Sequence, residues 1–125
     1  MTYNRIRGFR GIVEGKGNML TLPIKKKWFD MILSGEKKEE YRETTSYWMT
    51  RFAKVFGEHA YGVVYPKCYE TKSCIAEVMF RNGYSKDSPS FVAKCTLSVG
   101  TGKEEWGAEP GKEYFVLTVK EILNT

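Results

Sequence analysis

The stretch GEKKEEYR, residues 35–42, marks the junction between a short helix and a strand. Residues 25–34 before it are amphipathic and predict a helix, which Gly35 ends because glycine readily adopts the left-handed conformation found at helix C-termini. The residues after it are strand-like, so Glu40 and Arg42 share one strand face. With Lys37 they form a trio that can bind an anionic or planar polar ligand, or serve in acid–base chemistry.

Lys37 does not share the strand parity of Glu40 and Arg42. The trio therefore requires Lys37 to lie in the turn, with its long side chain curling back toward the other two groups. The alternative is a solvated charge cluster, in which a Lys–Glu pair contributes less than about 1 kcal/mol.

Length and composition indicate one globular domain. The chain has 125 residues, of which 42% are hydrophobic and 28% charged, ordinary values for a globular protein with a single core. The sequence contains neither an apolar run long enough to cross a bilayer nor a signal-peptide hydrophobic region. A cytoplasmic location is therefore expected, with no membrane partner.

The cysteines do not indicate a metal site. Cys68, Cys74 and Cys95 form no C-x-x-C pair, and His59 is the single histidine. Free thiols in a reducing compartment are expected, with no structural metal and no cofactor.

The net charge of +5 favours a nucleic-acid or nucleotide partner through attraction to phosphate. Residues 1–17 are basic and interrupted by glycine, which indicates a terminal extension.

The pattern of the remaining chain predicts an α+β fold. Helices are expected at 25–34 and at 47–56, the second capped by Thr45 or Ser46 and ended by Gly57. No strand–helix–strand unit repeats, which favours a mostly antiparallel curled sheet or small barrel. Its six predicted strands are residues 20–24, 38–43, 61–66, 72–80, 91–99 and 114–123.

Gly35, Lys37, Glu40 and Arg42 match the G-x-K-x-x-E-x-R signature of the ASCH domain (activating signal cointegrator homology domain), which residues 18–125 resemble. Further similar stretches are residues 19–24, 28–30, 80–84 and 105–111. The chain looks most like the small single-domain phage and bacterial members. The resemblance implies the PUA-like fold, a β-barrel flanked by two helices, with the motif lining a cavity between helix and barrel.

Aromatic residues make up 14% of the chain, and several stand beside charges or turns. Such rings can stack on bases while lysine and arginine hold phosphates. Trp106, in a Gly/Pro loop, is the main stacking candidate, whereas Trp28 and Trp48 carry helical periodicity and are assigned to the core. Asn82 could read a base edge, although an Asn-Gly turn also explains it.

Three function classes fit these observations. The first is an RNA- or nucleotide-binding module. The second is a hydrolase, either a ribonuclease or an amidohydrolase of N-acylated cytidines, in which Lys37 and Glu40 would be catalytic. ASCH amidohydrolases have threonine where this chain has Glu40, so their activity does not carry over directly. The third is a protein-interaction module. The expected ligand-binding residues are Lys25, Lys37, Glu40, Tyr41, Arg42, Arg81, Asn82, Tyr84 and Trp106.

Overall fold

A computed structural model of the chain describes residues 19–65 and 74–124. The extension predicted at residues 1–17 lies outside these ranges. The described residues form an α+β domain, and none of their helices is long and apolar enough to cross a membrane. In chain order the elements are β1 (Leu20–Ile24), α1 (Lys26–Leu33), β2 (Glu39–Glu43), α2 (Ser46–Phe56), α3 (His59–Gly62), β3 (Ile75–Asn82), β4 (Ser90–Thr101), a 3₁₀ turn (Glu104–Trp106) and β5 (Glu113–Asn124).

The five strands form one sheet in the order β1-β3-β4-β5-β2, curled into a half-barrel. Three of its four pairings are antiparallel, as expected, but β1 pairs with β3 in parallel. About six strands were expected, and the described residues contribute five. Strands β1 and β2 are the two edges of the sheet and do not pair with each other.

The prediction of a strand at residues 61–66 is wrong for residues 61–65, which the structure describes. His59–Gly62 is a short third helix and residues 63–64 form a turn, while Pro66 lies outside the described residues. The prediction rested on β-branched and aromatic residues at 61–65. The backbone instead bonds locally, from Val63 N–H to His59 O at 3.0 Å and from Tyr65 N–H to Tyr61 O at 2.7 Å. Local hydrogen bonds overrode the strand propensity of these side chains.

The predicted helix ends are confirmed. Gly35 follows α1 with φ of 86°, a conformation that a residue with a Cβ rarely adopts. There the Lys37 N–H bonds back to Met31 O at 2.9 Å, which turns the chain toward β2. Thr45 caps α2 by accepting a hydrogen bond from Trp48 N–H at 3.4 Å, and Gly57 ends that helix.

The main core fills the concave side of the curled sheet. Helices α1 and α2 bury Phe29, Ile32, Phe52 and Phe56, which pack with Phe80, Phe91 and Phe115 from the strands. Trp28 and Trp48 are half-buried at the margin of this cluster. A second cluster of Tyr41, Ala108, Tyr114 and Val116 packs beside Trp106. Strand β5 therefore buries alternate residues in two clusters, as its two-residue period allows.

Replacement of Phe52 tests the core. Its ring is fully buried and packs against Trp48, Phe56 and Phe115. We expect Phe52→Ala to lower the free energy of unfolding by about 3–5 kcal/mol in urea denaturation, because the cavity adds to the lost transfer free energy. Tyr47→Ala, on the exposed side of the same helix, is the control and should cost less than about 1 kcal/mol. Equal losses in both variants would contradict this packing.

Candidate functional site

A cleft of about 530 Å³ opens where the two edges of the curled sheet approach each other beside α1. Seven of the nine predicted ligand-binding residues line it: Lys25, Glu40, Tyr41, Arg42, Asn82, Tyr84 and Trp106. The sheet, the N-terminal end of α1, the β3–β4 loop and the 3₁₀ turn all contribute. Segments distant in sequence therefore meet around one concavity.

The pairing of β2 with β5 determines which side of the sheet the Glu40 and Arg42 side chains lie on. Glu40 lies opposite Leu117 and Arg42 opposite Phe115, two residues of the main core. Because side chains alternate along a strand, Glu40 and Arg42 point to the concave side of the sheet. A carboxylate and a guanidinium thus stand at the margin of an apolar core, where each needs partners to offset its desolvation.

Arg42 bridges the two edges of the sheet. Its Nη1 donates to Glu40 Oε2 at 2.5 Å and to Tyr41 O at 2.7 Å. Its Nη2 donates to Pro23 O on β1 at 3.2 Å. The guanidinium carbon also lies 5.2 Å from the centre of the Trp48 ring, within the range of a cation–π interaction. One side chain thereby connects β2, β1 and α2.

Lys37 lies beneath the cleft and is 1% exposed. Its Nζ donates to Glu39 O and to Trp106 O, the latter at 3.1 Å, and lies 3.0 Å from Glu40 Oε1. The ammonium also lies about 5 Å from the ring centres of Trp28 and Tyr41. Three oxygens around Nζ match the three N–H donors of a protonated lysine. Lys37 thus ties β2 to the 3₁₀ turn 69 residues away.

Two opposing effects act on the charge of Lys37. Burial lowers the pKa of its amine below the ordinary value of 10.5, since the charged form loses hydration. The Glu40 carboxylate acts in the opposite direction through charge attraction and hydrogen bonding, but burial is the larger effect. The ammonium is consequently held by its partners against a substantial desolvation cost.

Glu40 contributes a buried carboxylate to the lining of the cleft. The residue is 6% exposed, and its Oε2 is bonded to Arg42. Its Oε1 lies 3.0 Å from Lys37 Nζ and forms an ion pair with it. Each oxygen of this buried carboxylate therefore has a cationic partner within the protein.

Aromatic side chains form the walls of the cleft. Trp106 is half-buried, and Tyr84, 89% exposed, stands at the rim. Trp28 completes the wall from α1. Gly107 packs against it so closely that a Cβ added there would lie 3.0 Å from the indole, and its φ of 101° also disfavours larger residues. The Trp28 ring is thus fixed in position by the loop that follows Trp106.

Tyr41 supports the cleft from the second cluster. Its hydroxyl donates to Glu39 Oε1 at 2.7 Å and accepts from Lys103 N–H at 3.0 Å. Burial raises the pKa of this phenol above its usual value of 10, so it remains a neutral donor at physiological pH. Tyr41 thereby anchors the 3₁₀ turn that carries Trp106.

Two of the nine predicted ligand-binding residues do not line the cleft. Lys37 lies below it, and Arg81 directs its Nη2 toward Met79 Sδ at 3.7 Å. Trp28 and Tyr114 also line the cleft, although neither was among the predicted ligand-binding residues. Trp28 follows three consecutive lysines at a helix start, a position that could have marked it as a rim residue. Tyr114 carries no comparable signal, because its place depends on how β5 pairs.

In residues 19–65 and 74–124, no group of three or more His, Cys, Asp or Glu side chains is arranged to hold a metal ion. Cys74 and Cys95 are free thiols there. Cys68 lies outside the described residues.

Comparisons of the chain with protein-family models, with curated proteins and with solved structures found no match. Function is therefore inferred from the residues that line the cleft and from their geometry.

Replacement of Lys37 tests the buried network. We expect Lys37→Met to lower the free energy of unfolding by about 3–5 kcal/mol, because Glu40 would lose a buried countercharge and two carbonyls would lose a donor. Lys38→Met is the matched control, since Lys38 is exposed one residue away. Urea denaturation at neutral pH measures both. A loss below 1 kcal/mol for Lys37→Met would contradict the assigned contacts.

The pH dependence of stability tests which effect on Lys37 is larger. Because its pKa is lower in the folded protein than in the unfolded chain, the unfolded chain binds more protons as the pH approaches 10.5. The wild type should therefore gain stability relative to Lys37→Met as the pH rises through the alkaline range up to 10.5. A difference that shrinks with pH would show that attraction to Glu40 outweighs burial.

Proposed function

We propose that the cleft binds a nucleobase, carried by a nucleotide or by single-stranded RNA, and that the protein is a nucleotide- or RNA-binding module. The observation that carries this proposal is a cleft whose lining combines the Glu40 carboxylate and the Arg42 guanidinium with the aromatic side chains of Trp28, Tyr84 and Trp106. Base edges supply N–H donors, and base rings supply flat faces for stacking.

The size of the cleft supports a ligand of this class. Small-molecule sites typically measure about 300–1,000 Å³, and this cleft, at about 530 Å³, lies within that range. Its charged lining residues are Lys25, Glu40 and Arg42, which leaves one positive charge in excess. An anionic ligand with a planar polar ring matches this combination better than a cation does.

The donors and acceptors of the cleft also suit a base edge. In the proposed complex, the Glu40 carboxylate accepts from a ring or amino N–H of the base. Arg42 has two N–H groups beyond its three hydrogen bonds to Glu40, Tyr41 and Pro23, and one of them donates to an adjacent base acceptor. Trp106 stacks on the base, and Tyr84 closes over it from the rim.

The ASCH resemblance agrees with this proposal. We propose that the domain is a PUA-like variant in which the G-x-K-x-x-E-x-R residues build the cleft. In that proposal Lys37 is a supporting residue, because its donors already face protein oxygens. A general base needs a free lone pair, which a fully bonded ammonium lacks. The lysine geometry therefore favours binding over the hydrolytic alternative.

Binding of nucleoside 5′-monophosphates and of a short single-stranded RNA, measured by titration calorimetry, tests the proposal. We expect Trp106→Ala to weaken binding by about 5- to 150-fold, since stacking on one aromatic ring contributes about 1–3 kcal/mol. The substitution keeps the backbone carbonyl that accepts from Lys37. Glu40→Gln should change the preference among bases, because the amide presents a donor as well as an acceptor.

Tyr47→Ala removes an exposed ring outside the cleft and is the control for Trp106→Ala. It should leave the affinity unchanged. The proposal fails if neither the nucleotides nor the RNA bind, or if Trp106→Ala binds them as tightly as the wild type. Cleavage of RNA or of acylated cytidine that disappears in Lys37→Ala would favour the hydrolase instead.

A further inference from the structure

Asn82 is the last residue of β3, and its side chain lies on the concave side of the sheet. Phe80, two residues earlier on the same strand face, is fully buried in the main core. The partner of Asn82 on β1 is Ile24, which belongs to that core and also lines the cleft. The Asn82 side chain therefore lies where the core opens into the cleft.

A tight Asn-Gly turn does not explain Asn82. Residues 83–89 connect β3 to β4, and this loop is too long for the two-residue hairpin that an Asn-Gly pair favours. The Asn82 backbone keeps its strand register with β1, and its N–H bonds to Pro89 O at 2.8 Å. The left-handed conformation in the loop falls on Gly83, with φ of 116°. The turn therefore leaves the asparagine side chain unexplained.

The side-chain amide of Asn82 is available to a ligand. It has no hydrogen-bond partner in residues 19–65 and 74–124, and both of its polar atoms are accessible to solvent. Glu40 differs, because each of its carboxylate oxygens pairs with a cation of the protein. An amide offers two N–H donors and one acceptor oxygen. In the cleft these atoms can exchange their hydrogen bonds with water for hydrogen bonds with a ligand.

The surroundings of the amide suit the edge of a base. Arg42 reaches the same end of β1, where it donates to Pro23 O at 3.2 Å, one residue before the partner of Asn82. Trp106 and Tyr84 line the same cleft and supply flat faces. Base edges present an N–H donor beside an acceptor, and an asparagine amide matches such an edge with two hydrogen bonds.

We propose that Asn82 is the specificity-determining residue of this cleft and that its side-chain amide reads the base edge. This inference rests on the proposed nucleobase function. Nδ2 donates to a base acceptor, and Oδ1 accepts from the adjacent base N–H. Adenine, cytosine and uracil meet this requirement only with one donor beside one acceptor. Guanine alone also has two neighbouring donors, its ring N–H and its amino group.

Titration calorimetry of the four common nucleoside 5′-monophosphates with the wild type, Asn82→Ala and Asn82→Asp tests the inference. We expect Asn82→Ala to weaken binding of the monophosphate that the wild type prefers by about 5- to 150-fold, the effect of losing a pair of hydrogen bonds to a base edge. Asn82→Asp keeps the shape but replaces the N–H donors with an acceptor. The affinity for guanosine monophosphate relative to each of the other three should therefore rise about fivefold or more.

Ser98→Asp is the control for the added charge. Ser98 is exposed on β4 and lies outside the cleft, so this variant should keep the wild-type ranking of the four monophosphates. Thermal melting checks the fold of each variant. The Asn82 variants should melt close to the wild type, because the amide has no hydrogen-bond partner in the described part of the chain.

An NMR measurement on the wild type reads the amide directly. The chain has four asparagines and no glutamine, so its side-chain amide signals are four pairs. We expect the pair assigned to Asn82 by triple-resonance spectra to shift with nucleotide concentration and to saturate with the calorimetric affinity.

The outcomes separate this inference from the function on which it rests. If the monophosphates bind but folded Asn82→Ala binds all four as tightly as the wild type, the role of Asn82 is refuted and the nucleobase site stands. The same holds if Asn82→Asp keeps the wild-type ranking, or if the Asn82 amide signals do not move at saturation. If no monophosphate binds the wild type, both proposals are refuted.

Discussion

The buried chain of charges from Lys37 through Glu40 to Arg42 is the interaction on which the rest of this structure depends. Glu40 lies between the two cations, at 3.0 Å from Lys37 Nζ and 2.5 Å from Arg42 Nη1. The cations in turn bond backbone carbonyls of the 3₁₀ turn and of β1. Because a buried cation that loses its partners pays a large desolvation cost, these bonds hold the 3₁₀ turn and β1 beside β2.

An apolar junction would join the two edges without creating a site. Replacing buried ion pairs with packed hydrophobic side chains often stabilises a protein, so a network of this kind is weak evidence for a stabilising role alone. Here Glu40 and Arg42, two of the three charged residues of the network, also line the cleft. The arrangement is explained if the same charges that close the sheet also recognise a ligand.

Local features of the sequence predicted most of the elements, and non-local contacts account for most of the differences. Gly35, Thr45 and Gly57 set helix ends through backbone conformation and capping, which depend on adjacent residues. The parallel pairing of β1 with β3 and the burial of Lys37 against Trp106 depend on segments far apart in the chain. The motif indicated which charges belong to the site, but not that Lys37 supports it from below.

An NMR titration of the isotopically labelled protein with cytidine and adenosine 5′-monophosphates tests the central claim most directly. Backbone amides report each segment around the cleft separately. We predict concentration-dependent shifts confined to residues 25, 28, 40–42, 82–84 and 106–107, with much smaller shifts for the exposed face of α2 around Tyr47. Absence of shifts at millimolar nucleotide, or shifts centred on α2, would contradict it.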